Sequence, residues 1–138
     1  MVKKGVYCLA ITVEEPVDIT VGALGRLEFL SGSYVYVGSA LNGIEARLRR
    51  HIKTSRGRGE TTHWHIDYLL RAPEVEIEDL FVKLTDLREE CEFADSVSEL
   101  GKPTKGFGCS DCRCVSHLFR VEGFDFLPRL GLKPFYLD

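Results

Sequence analysis

A chain of 138 residues, 44% of them hydrophobic, is long enough to bury one sizeable core and too short for two ordinary domains, so residues 1–138 read as a single domain. The formal net charge of −3 excludes a generally basic nucleic-acid coat, and five cysteines in so apolar a chain read as reduced thiols rather than a disulfide framework. No run of about twenty apolar residues offers a membrane span, and the N-terminus turns acidic at Glu14 and Glu15 without a cleavage site, so the expected location is cytoplasmic.

Gly5 to Val13 is dense in β-branched and aromatic residues and stops at Glu14, Glu15 and Pro16, which predicts a first strand. A loop around Asp18 to Gly25 leads to a strand over Arg26–Leu30. After a Ser31–Ser33 turn, Tyr34–Gly38 is the third strand. Ile44, Leu48 and Ile52 recur every fourth residue, predicting a helix capped by Asn42 that gives way at the polar, glycine-bearing segment from Thr54 to Gly59. Thr62 precedes a short buried helix holding Trp64, Ile66, Leu69 and Leu70 and closed by Pro73. Val75 to Leu84 reads as a strand. Thr85 caps a helix whose stripe is Leu87, Cys91, Ala94 and Val97, ending near Gly101. A loop from Gly101 to Cys109 and a final strand over Ser116–Glu122 follow. The tail from Phe124 to Tyr136 is apolar enough to pack on the domain.

Charge is unevenly spread. Arg47, Arg49, Arg50, Lys53, Arg56 and Arg58 form an acid-free run, whereas Glu74 to Glu99 is acidic; a solvated helix face and a nucleic-acid contact both account for the basic run. Strand alternation puts Tyr34, Tyr36 and Gly38 on one face, where Tyr7 and Tyr36 can share a cleft. A guanidinium or metal beside a phenol favours phenolate, which would make a tyrosine a general base; packing is the ordinary alternative for tyrosines in strands. Arg47 offers a planar charged fork to a phosphate, and His51, one turn on, can hold a phosphate or pass a proton.

Cys109 and Cys112 have the spacing of a zinc half-site that Cys114, His117 or Cys91 could complete; the alternatives are a redox pair, or packed thiols beside a hydrogen-bonded His117. His63 and His65 diverge on a helix and suit capping and packing better than a metal. Trp64 is a core residue or a stacking platform.

Gly5-Val6-Tyr7 and Tyr36-Val37-Gly38, with Arg47 and His51 following, resemble the half-motifs and helix of the GIY-YIG nucleases. Together with HWHIDYLL and GFGCSDCRCVSHLF, the segment YVGSA is similar to domain-of-unknown-function family 123, some of whose members are joined to DNA-repair glycosylase-like enzymes. The resemblance implies an α+β fold, with a small, mostly antiparallel central sheet flanked by helices. It also implies a metal-dependent endonuclease acting on DNA, with Tyr7 as base and Tyr36, Arg47 and His51 assisting. Gly38, Ser39, Arg49, Arg50 and Lys53 would contact the substrate. Mg²⁺ or Mn²⁺ would be held by Glu90 or Asp95, with Glu89, Glu92 and Asp67 as further ligand candidates. The family's late asparagine has no counterpart, since Asn42 is the only asparagine. An inactive nucleic-acid-binding module of the same fold is the alternative, and a thiol or zinc protein centred on Cys109, Cys112 and Cys114 is a third.

Overall fold

The computed structural model describes residues 3–40, 42–57, 64–108 and 114–137. In chain order the strands are β1 (Gly5–Val13), β2 (Val17–Thr20), β3 (Arg26–Phe29), β4 (Gly32–Ala40), β5 (Val75–Leu84), β6 (Lys102–Pro103), β7 (Leu118–Val121) and β8 (Lys133–Pro134). The helices are α1 (Ile44–Ser55), α2 (His65–Leu70) and α3 (Glu90–Ser98). Six strands form one sheet in the order β6-β7-β4-β1-β5-β8, antiparallel at every pairing, and β2 with β3 makes a separate ribbon.

β1 is central because it can afford no solvated face: it is buried along nearly its whole length between β4 and β5. Its alternation sorts the core into two layers. Tyr7, Leu9, Ile11 and Val13 join Tyr34 and Tyr36 beneath Ile44 and Leu48 of α1 and Ile66, Leu69 and Leu70 of α2. Val6, Cys8 and Ala10 join Val35 and Val37 on the other face, beneath Phe93, Ala94 and Val97 of α3 and Leu127 and Leu132 of the tail. A buried leucine such as Leu9 or Leu48 contributes enough that truncation to alanine costs about 2–5 kcal/mol.

β1 and β5 occupy the segments the sequence predicts, and the antiparallel α+β architecture is as expected. Other boundaries move. The loop expected from Asp18 contains β2, whose Val17 and Ile19 pack inward while Asp18 and Thr20 stay exposed. α1 is preceded by Gly43 at φ 132° rather than capped by Asn42, and the Ile44 N–H is taken by Lys3 O at 2.8 Å. α3 starts at Glu90: Thr85 Oγ1 accepts from Leu87 N–H at 3.1 Å in a local turn, and Leu87 is exposed. β7 is shorter than predicted and is followed by β8 in the tail, where Phe135 N–H bonds Leu80 O at 2.8 Å. Tyr136 is exposed, unlike the rest of the apolar tail.

Candidate active site

The site is built where β1, β4, α1 and α2 meet. Tyr7 lies opposite Gly38 in the β1–β4 register, and a Cβ at Gly38 would sit 2.5 Å from Tyr7 Oη, so glycine is required for the ring to lie across the strand. The ring is then directed at α1, where Tyr7 Oη and His51 Nε2 share a 2.7 Å hydrogen bond in the interior. Tyr36 stands on the same face, its ring centroid 6.5 Å from that of Tyr7 and 6.2 Å from that of His51.

Both members of the pair are uncharged at neutral pH. Burial holds the Tyr7 phenol above its ordinary value despite the charge and hydrogen bond of Arg47, which act the other way. The expectation that a neighbouring guanidinium makes Tyr7 a phenolate is therefore corrected: desolvation wins. Burial likewise pushes His51 down to about 3, with Arg47 and Arg50 adding to the effect and Asp67 opposing it. His51 Nδ1 is buried with no hydrogen-bond partner among the described residues.

The arginines are set by α2. Asp67, fully buried, grips Arg50 with both oxygens at 2.9 and 3.0 Å, and its Oδ2 also accepts the Trp64 N–H at 2.9 Å. The bond from Trp64 N–H satisfies an otherwise orphaned donor at the start of α2. The guanidiniums of Arg47 and Arg50 lie 4.4 and 4.1 Å from the centroid of Trp64, whose ring is in turn 5.9 Å from His51. Arg47 is further held by Ser39 O at 3.1 Å. Two half-buried cations thus stand on an aromatic surface beside a buried tyrosine–histidine pair.

Tyr7, Tyr36, Gly38, Ser39, Arg47, His51 and Arg50 are brought together; Arg49 and Lys53 are not. At about 100° per residue, positions 49, 53 and 56 fall on the helix side away from Arg47 and His51. There Arg49, Lys53 and Arg56 line a shallow groove with Leu137, and Arg49 pairs with Glu45 at 2.8 Å. Glu90, Glu92 and Asp95 lie on α3, which covers the opposite face of the sheet, and Glu89 of that segment pairs with Lys83 at 3.2 Å. The sequence reading did not foresee the Trp64–arginine arrangement or the Asp67–Arg50 clamp, although an acid three residues into a helix and arginines at i and i+3 were visible signals.

Phe107 extends the cluster, its ring meeting Tyr36 and His65, while Gly108 N–H donates to His65 Nδ1 at 2.8 Å. Thr62, His63, Cys109 and Cys112 lie outside the described residues. Cys114 is joined to Cys91 as a disulfide, contrary to the expectation of reduced thiols throughout. The pairing spans 23 residues and comes from α3 crossing the sheet, which local spacing does not reveal.

Among known proteins, the model of the family described as Domain of unknown function DUF123 matches residues 6–129. No curated protein and no solved structure matches the chain.

Proposed function

The chain belongs to the family described as Domain of unknown function DUF123, and we propose that this member is a nuclease-like domain, related to the GIY-YIG enzymes, that hydrolyses phosphodiester bonds in DNA. The observation that carries the reading is the buried 2.7 Å Tyr7–His51 hydrogen bond with Arg47 beside it. A phosphodiester hydrolase needs a fixed cation for the phosphoryl oxygens and an acceptor for the proton of the attacking water. Arg47 and Arg50 answer the first need, each already held, by Ser39 and by Asp67.

For the second, Tyr7 acts as a relay rather than a phenolate. Its hydroxyl proton passes to His51 Nε2 as Tyr7 Oη takes a proton from water. The water oxygen forms the new bond to phosphorus, the bond to the leaving ester oxygen breaks, and that oxygen is protonated from solvent. His51 is a poor acceptor chiefly because burial disfavours its charged form, with Arg47 and Arg50 adding to the effect. An anionic phosphate bound between those arginines offsets their charge and raises the basicity of His51 when the substrate is in place. The DNA-repair setting rests on the resemblance alone.

The expected Mg²⁺ or Mn²⁺ does not fit this donor set. Glu90 and Asp95 are across the sheet, and Asp67 is taken up by Arg50 and the Trp64 amide. No step above uses a metal. The same placement supports the second reading, a nucleic-acid-binding module without turnover, in which Tyr7 and His51 only support the arginine surface.

Purified protein incubated with supercoiled plasmid in Mg²⁺, Mn²⁺ or EDTA, beside Arg47→Ala, separates the two. Nicking by the wild type that is absent from the variant supports hydrolysis; DNA binding with no nicking in any condition supports the binding module.

A further inference from the structure

We propose that Cys91, Cys114 and His117 form a zinc site that ties α3 to the strands beneath it. The Sγ atoms of Cys91 and Cys114 and the imidazole nitrogen of His117 converge so that all three ligand atoms lie within 4.8 Å of one another, with Cys91 Sγ 3.9 Å from His117 Nε2. Tetrahedral zinc, with bonds of about 2.3 Å to sulfur and about 2.0–2.1 Å to nitrogen, separates neighbouring ligand atoms by roughly 3.6–3.8 Å. The Cys91–His117 edge already has nearly that length, and the Cα atoms of the two cysteines are 6.0 Å apart, which leaves room for their sulfurs to separate around the metal once the bond between them is reduced.

The support is rigid where a metal needs it. His117 is buried, and its backbone is pinned on both sides: its N–H donates to Phe107 O and its carbonyl accepts from Val37 N–H, each at 2.8 Å. Its ring is therefore carried by the sheet, whereas Cys91 is carried by α3, whose Phe93, Ala94 and Val97 pack on the same face. The site lies beyond the reach of the Tyr7 chemistry, on the opposite side of β1, so its role is to hold α3 in place.

A disulfide and a zinc site are two states of the same sulfurs. A dithiol reductant cleaves the Cys91–Cys114 bond, is itself oxidised to its disulfide, and leaves two thiols. Zinc then takes both as thiolates, releasing two protons to solvent, while His117 binds as neutral imidazole.

The test uses the whole chain, purified under reducing conditions without chelator, and measures zinc per chain, the absorption of the Co²⁺-substituted protein and thermal unfolding. About one zinc per chain and a thiolate-to-Co²⁺ charge-transfer band are expected, together with a lower Tm once zinc is stripped. Cys91→Ser and His117→Ala should each lose the metal, while His117→Cys, which restores a ligand without restoring an imidazole, should keep it. Reduced protein that carries only trace zinc, shows no such band and unfolds identically with and without zinc would overturn the proposal. So would His117→Ala retaining the full metal content.

Discussion

Lowering the pH should destabilise this fold through His51, and the size of the effect follows from its burial. The imidazole titrates at 6.5 when free and at about 3 in the folded chain, so between those values the unfolded state binds a proton that the folded state refuses. Stability attached to this group is complete above pH 6.5 and is lost as pH falls toward 3. Each pH unit well below 6.5 is worth up to about 1.36 kcal/mol, so acidification from pH 7.5 to 4.5 removes roughly 2.7 kcal/mol, a large share of a small domain's stability. Burial lowers His65 as well, so the measured quantity is a difference between wild type and a variant at His51. Urea midpoints for wild type and His51→Gln at pH 7.5, 6.5, 5.5 and 4.5 should converge as pH falls, because the variant lacks the penalty. Parallel profiles would refute the assignment of a buried, neutral His51.

Tyr7 supplies the alkaline counterpart: since burial raises it, its contribution is intact below pH 10 and is lost above, so Tyr7→Phe should show a shallower stability loss between pH 10 and 12. Gly38→Ala should cost about 1–3 kcal/mol in denaturant unfolding because its Cβ overlaps the Tyr7 ring, and combining it with Tyr7→Leu should recover much of that loss. Asp67→Asn should lower stability by about 3 kcal/mol and loosen Arg50, read as a fall in unfolding midpoint together with weaker DNA binding. Replacing Arg47 and Arg50 with alanine should reduce the salt slope of DNA binding by about 2, one for each phosphate contact, whereas the Arg49→Ala, Lys53→Ala pair on the far side of α1 should alter it less.

Much of the frame is legible in the sequence because burial imposes its period directly. β1 is a long apolar strand and β5 a long strand whose apolar residues alternate imperfectly with charged ones, both with charged or proline boundaries, and α1 carries its core residues at fourth positions. β2, β6 and β8 are short, and their pairing depends on distant neighbours rather than local propensity. The facing of Tyr7, Tyr36 and Gly38 follows from alternation, yet the environment of Tyr7 does not: whether burial or Arg47 dominates depends on how α1 closes over the sheet. Grouping Arg49, Arg50 and Lys53 treated neighbours in sequence as neighbours in space, which a helix turning about 100° per residue forbids. Glu90 and Asp95 needed knowledge of which face α3 covers, and Cys91 with Cys114 needed the crossing that brings them together.

The most direct measurement of the central claim compares wild type and Tyr7→Phe for DNA binding and for plasmid nicking in the same preparations. The proton-relay account predicts that binding changes by less than about twofold while nicking falls by roughly 10²-fold or more, the usual scale for losing general acid–base participation. Nicking by Tyr7→Phe at the wild-type rate would contradict it.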